Sequence, residues 1–257
     1  MSVDIRHPLK KLIPILLKAK EDNLNEADTL VRLVMFFEEV LGYDRLTEIM
    51  REVPIKAKYV DLALKIDDAI KLLVEAKAAG CELRERHIEQ AESYAALKGL
   101  HWVVLTNGVN WNLYHLSFDE DKGIDAEPVF SLDLASDDID KAAEYLGLLH
   151  EQSVRKGAHD DYWRKYTALD ARSLGKVLYS EEVLRLIRRE IHQHEGILLD
   201  EEDLAKAIHD MLSKDACEKM GPMKIQHKKK HLSKKTEPDL PTGSEEETLV
   251  PKVESEI

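Results

Sequence analysis

The segment Leu72-Leu-Val-Glu-Ala-Lys77 carries two ionisable side chains, Glu75 and Lys77, inside an otherwise apolar run. In a β-strand, a two-residue spacing turns both side chains to one face. Charged groups in such a setting are costly unless they are paired or bound to a metal. Asp61 has the same surroundings, flanked by Val60, Leu62, Ala63 and Leu64. Antiparallel pairing of the two segments would bring Asp61 close to Glu75, where two carboxylates repel and a divalent cation relieves them. An Asp and a Glu are hard oxygen ligands suited to Mg²⁺ or Mn²⁺, and Mg²⁺ bridges readily to phosphate. A lysine beside such an ion orients the attacking water or steadies charge on the phosphate. The chemistry that uses this set is phosphodiester hydrolysis.

The surrounding pattern supplies the elements that must hold these groups. Asparagine in the Asn23–Asp28 stretch is a plausible helix cap. Leu30, Leu33, Val34, Phe37 and Leu41 then follow helical spacing up to Gly42. Glu26 shares the stripe of Leu30, Leu33 and Phe37, which predicts that its carboxylate faces inward. Extended runs at Glu48–Ile55, Lys58–Lys65 and Leu72–Lys77, joined by short turns, read as an antiparallel meander. A helix is expected from about Leu83 to Leu97, ended by Gly99, with Leu83, His87, Gln90 and Tyr94 on one stripe. His87 reads as a helix-face residue rather than a ligand. Strands follow at Trp102–Thr106 and Trp111–His115 around an Asn107-Gly108 turn, and Val129–Leu134 reads as an edge strand. This predicts an α/β sandwich around a mixed sheet for residues 1–134. Residues 135–221 are expected to be helical throughout, and 222–257, with four prolines and blocks of like charge, to be a disordered charged tail.

Asp61, Val-Glu75-Ala-Lys77 and Gln90-Ala-Glu-Ser-Tyr94, in that order, resemble the PD-(D/E)xK nuclease superfamily with its QxxxY extension. More narrowly, the chain is similar to the N-terminal nuclease domain of type I restriction enzyme R subunits. Glu26-Ala-Asp-Thr29, Leu41-Gly-Tyr-Asp44 and Leu105-Thr-Asn-Gly108 with Trp111 and Tyr114 also look like that family. The resemblance covers about residues 22–134. It implies a restriction-endonuclease-like mixed sheet flanked by helices, followed by an all-helical C-terminal region. It further implies a Mg²⁺- or Mn²⁺-dependent nuclease acting on DNA. Asp61 and Glu75 would bind the metal, and Lys77 would be the catalytic lysine. Gln90 and Tyr94 would position the DNA, and Glu26 would be an accessory carboxylate. Val60 stands where the superfamily name has proline. No GxxxxGK[ST] occurs, so this chain has no P-loop ATPase: it is expected to be a stand-alone nuclease-like unit or to work with a motor or specificity subunit in another chain.

Composition narrows the alternatives. The 257 residues carry 37 Lys and Arg against 50 Asp and Glu, a formal charge of −13, which opposes tight non-specific DNA binding through phosphate neutralisation. That charge leaves room for a local basic cleft, since Lys77, Arg84, Arg86 and Lys98 lie near the proposed site. The tail is neutral, so the negative charge sits on residues 1–221. Two cysteines, Cys81 and Cys217, make no disulfide framework, and a cytoplasmic location is the plain expectation. Met1–Lys20 shows no signal-peptide pattern, no run is long enough to span a membrane, and no membrane partner is expected. A second reading is a non-catalytic nucleic-acid-binding or assembly subunit that retains the nuclease fold. A third makes the helical region the working part, as a protein-interaction module.

Overall fold

The computed structural model describes residues 3–55, 58–119, 121 and 123–226. Two compact units divide between Ser173 and Leu174. The first is built on a six-stranded sheet: β1 (Ile49–Ile55), β2 (Lys58–Ile66), β3 (Ala69–Ala76), β4 (Trp102–Thr106), β5 (Asn110–Asp119) and β6 (Gly123–Asp133), which lie in sequence order. β1, β2 and β3 form the expected antiparallel meander. β3 and β4 run parallel, and β4, β5 and β6 are again antiparallel. The parallel step requires a crossover, and α3 (Glu89–Lys98) provides it, preceded by a 3-10 turn at Glu85–Ile88.

Helices cover the sheet on both faces. On one, α1 (Arg6–Glu21), α2 (Glu26–Glu39) and α4 (Ile139–Gly147) share a core with the sheet through Leu12, Leu33, Phe36, Phe37, Trp111 and Leu146. On the other, Ile88, Ala91, Tyr94 and Ala95 pack against Ala63, Leu73, Val103 and Leu105. α2 begins where the sequence places a cap, with the Asp28 N–H donating to Asn25 Oδ1 at 2.9 Å. Gly99 closes α3 in the left-handed conformation at φ +64°.

Three elements differ from expectation. α1 is not anticipated by the sequence pattern, because Pro14 interrupts it. Pro14 lies on the exposed side, where the carbonyl it leaves unbonded can be hydrated, while Leu9, Leu12, Leu16 and Ala19 are buried on the other. The helix expected from Leu83 starts at Glu89, because Glu85–Ile88 forms a tighter turn whose first N–H, that of Arg84, donates to the His87 ring at 3.2 Å. β6 starts at Gly123, well before Val129, and pairs with the whole of β5. Its Pro128 stands on the outermost strand, at a register shift.

Residues after the sheet are helical as expected. α4, α5 (Glu151–Arg155) and α6 (Ala158–Ala168) belong to the first unit. α6 docks on the sheet through the Trp102 indole, whose Nε1 donates to Asp160 at 2.8 Å, and through Trp163 stacked on His115 at 4.4 Å. α7 (Ala171–Leu178) runs across the division. The second unit contains α8 (Glu181–Glu195), α9 (Glu201–Met211) and α10 (Lys214–Met220), gathered on Tyr179, Leu184, Leu204 and Ala205. Ser180 and Asp200 cap α8 and α9. Met223 and Ile225 pack on this cluster, and the chain is described through Gln226. The remainder of the expected tail lies outside the described residues. Among the described residues no helix is long and apolar enough to cross a membrane.

Tyr43, 1% exposed, ties α2's exit to the later helices by donating its hydroxyl to the Leu149 carbonyl at 2.9 Å. Tyr43→Phe should lower stability by about 1–2 kcal/mol, because a buried acceptor is left without its donor. Urea denaturation should show a lower midpoint at unchanged slope.

Candidate functional site

The β2–β3 register pairs Leu62 with Val74 and Ala63 with Leu73, so the next step of the ladder sets Asp61 opposite Glu75. Strand alternation turns both carboxylates to the face that also carries Ala63 and Leu73, the face under α3. Lys77 lies just beyond β3. Its backbone N–H donates to the Thr106 carbonyl at 2.9 Å, which carries the β3–β4 pairing one residue past the strand end. Asp61, Glu75 and Lys77 therefore gather at one end of the central strands.

The contacts are short and specific. Lys77 Nζ donates to Glu75 Oε1 at 2.6 Å and to the Ala76 carbonyl at 2.9 Å. Asp61 Oδ2 accepts from the Ala76 N–H at 2.7 Å. Glu75 is 4% exposed, and its Oε2 is buried with no hydrogen-bond partner. Glu26 Oε2 stands 3.8 Å from Lys77 Nζ, an ion pair without a hydrogen bond. The inward-facing position expected for Glu26 is not found: it is the exposed first residue of α2, overhanging the site from the helix end. Tyr94 is buried on the sheet side of α3 and Gln90, one turn earlier on that helix, is half-buried. Of the cations near the site in sequence, Lys77 is in it, while Arg84 is paired with Glu82 at 2.8 Å.

The electrostatics follow from burial and like charge. Burial, then the Asp61 charge, pushes the Glu75 carboxyl up to about 7, and Lys77 only partly offsets this. Burial also raises Asp61, with Glu26 and Glu52 adding to the effect and the Ala76 N–H and Lys77 opposing it. Burial alone would lower Lys77. Its hydrogen bond to Glu75 and the charges of Glu75, Glu26 and Asp61 outweigh that and hold the ammonium above its ordinary value.

Residues the sequence reading passed over frame this set. Asn107, 2% exposed, donates from Nδ2 to the Cys81 carbonyl at 2.8 Å and accepts at Oδ1 from the N–H groups of Val109 and Asn110. It thereby clamps the segment after Lys77 to the β4–β5 turn. The Ala79 N–H donates to the Leu24 carbonyl at 3.1 Å, fixing the same segment to the start of α2. Glu52 lies between the paired positions Arg51↔Leu62 and Val53↔Val60, across from Asp61, at φ +50°. The Asn-Gly pair reads as a turn signal, which conceals the bonding done by the asparagine side chain.

The donor set suits a hard divalent cation: two carboxylates close together, both raised by burial and by neighbouring negative charge, one with an orphaned oxygen. Among the described residues no group of three or more His, Cys, Asp or Glu side chains is placed to hold a metal ion. Mg²⁺ commonly keeps several waters and binds through one or two carboxylates.

Residues 30–127 match the family model of the type I restriction enzyme R protein N terminus (HSDR_N). Among solved structures, the chain is similar to the type IIG restriction endonuclease BpuSI. The identity is 16% over 61% of this chain, with a TM-score of 0.34, and the chain spans 21% of that protein's length. No curated protein matches it. The chain carries a restriction-nuclease-like domain.

Because the Glu75 value in the folded protein lies above that of the unfolded chain, its neutral form favours folding. Its contribution is fully present below about pH 4.5 and is lost as pH rises through about 7. Without metal, wild type should therefore lose thermal stability relative to Glu75→Gln between pH 5 and pH 8, by on the order of 1 kcal/mol. Paired thermal melts in chelator across that range would read it, and a constant difference would contradict the raised carboxyl.

Proposed function

We propose that the restriction-nuclease-like domain of this chain makes it a metal-dependent deoxyribonuclease that hydrolyses phosphodiester bonds. The observation that carries this reading is the pairing of half-buried Asp61 with buried Glu75, with the free Glu75 Oε2 on one side and the Lys77 ammonium on the other. Asp61 and Glu75 would hold Mg²⁺ or Mn²⁺, which when bound acidifies a water and polarises the phosphoryl oxygen. Lys77 is kept charged by its acidic neighbours, so it serves as a cation and hydrogen-bond donor toward a phosphate oxygen rather than as a base. Glu26, 3.8 Å from Lys77, restrains that ammonium from the helix end. Gln90 and Tyr94, on the helix over the same sheet face, position the DNA backbone. The substrate is DNA, and a motor or specificity subunit in another chain would deliver it. Such delivery compensates for a net charge of −13, which disfavours strong binding alone. Helices after residue 135 would carry partner contacts.

One observation favours the second reading, a non-catalytic nucleic-acid-binding or assembly subunit. Among the described residues no group of three or more His, Cys, Asp or Glu side chains is placed to hold a metal ion. Plasmid cleavage decides between them. With Mg²⁺ or Mn²⁺, wild type should nick or linearise supercoiled DNA, and Lys77→Ala should be slower by about 100-fold or more. Equal cutting by the two would remove the site from the chemistry. Absence of cutting, alone and with a motor subunit supplied, would favour the binding role.

A further inference from the structure

We infer that His87 is an additional substrate-binding group of this site, whose Nε2–H donates a hydrogen bond to a non-bridging oxygen of the phosphodiester held at Lys77. The inference rests on the nuclease reading above and names a contact that reading does not use.

The ring is fixed by its own turn. His87's backbone N–H donates to the Arg84 carbonyl at 2.9 Å, and the Arg84 N–H donates back to His87 Nδ1 at 3.2 Å. An Nδ1 that accepts carries no proton, so in the neutral ring the proton resides on Nε2. Among the described residues nothing accepts from that nitrogen. The ring is half-buried, so this N–H is held in a fixed direction and is open to a ligand from solvent.

Its location supports the same assignment. The turn opens directly into α3, whose Ala91 and Tyr94 lie against Ala63 and Leu73, the same-face neighbours of Asp61 and Glu75. Ile88, the next residue, is buried in that same cluster, and Lys77 and Glu26 both act electrostatically on the imidazole. Burial, then Lys77, Arg86 and Arg84, keep the imidazole below its ordinary value. Neutrality suits a donor here. An imidazolium would be drawn to the acidic groups of the site, whereas a neutral N–H remains available for a phosphate oxygen. Arg86, exposed and unpaired among the described residues, extends the same rim as a cation for the neighbouring phosphate.

Three variants separate the donor from the structural role of Nδ1. His87→Gln supplies both an acceptor for the Arg84 N–H and a donor. His87→Glu supplies the acceptor alone, in the position a capping box normally gives to Glu. His87→Leu supplies neither and adds no charge. Binding to a fluorescent 20-base-pair duplex would be followed by anisotropy in Ca²⁺, together with thermal melts and single-turnover cleavage in Mg²⁺. The expected pattern is a Gln variant within about threefold of wild type, and Glu and Leu variants each weaker by about tenfold in affinity and rate. Melting temperature should follow the cap instead, with Gln and Glu close to wild type. A Leu variant that binds and cuts like wild type, or a Gln variant as impaired as Leu, would overturn the inference while leaving the nuclease reading intact. Wild type that neither binds nor cuts DNA, alone and with a motor subunit supplied, would overturn both.

Discussion

Two carboxylates forced side by side on an apolar sheet are the constraint around which the first unit is organised. Asp61 and Glu75 face each other across the β2–β3 ladder because hydrogen-bond register leaves them no choice. A slip of one residue would turn the whole apolar set of a strand to the wrong face. Leu62, Leu64, Leu72 and Val74 on one face, and Ala63 and Leu73 on the other, therefore lock the acids together. Lys77 offsets part of the repulsion but engages only one oxygen of Glu75. The unfavourable remainder is what a bound cation would relieve. A site that stores such a cost in the free protein favours whatever neutralises it.

The rest of the unit holds the strand ends still. Thr106 accepts from the Lys77 backbone, Asn107 holds the Cys81 carbonyl, and Leu24 holds Ala79, so the lysine segment is fixed on three sides. Phe36, Phe37 and Trp111 pack ring against ring beneath the sheet, at centroid distances of 4.9 and 5.8 Å from the indole, and anchor α2. That anchoring sets where Glu26 hangs over the site. On the opposite face α3 is short, and it buries mostly small side chains, which lets it lie close to the strands bearing the acids.

Much of this was legible in the sequence, for a physical reason. A charged residue inside an apolar strand stands out against a period of two, so Asp61, Glu75 and Lys77 announced themselves, and the turn and cap residues Asn25, Gly99 and Asn107-Gly108 marked the boundaries. Other features lacked a periodic signature. α1 was masked by Pro14, whose cost falls on the solvent side. Glu26 fits the inward stripe of a helical wheel, but a wheel ignores where a helix ends, and at the first position the side chain extends past the core. The roles of Asn107 and His87 depend on side-chain bonds to backbone that spacing alone does not encode. The family match over residues 30–127 and the sequence motifs agree on the restriction-nuclease-like domain.

The central claim is that the Asp61–Glu75 pair is a divalent-cation site, and calorimetric titration of the metal-free protein with Mn²⁺ tests it most directly. The account predicts binding near neutral pH with release of a fraction of a proton, because Glu75 titrates at about 7 and must ionise to bind. Binding should be lost in both Asp61→Asn and Glu75→Gln. Unaltered Mn²⁺ affinity in either variant, or binding with no proton released, would contradict it.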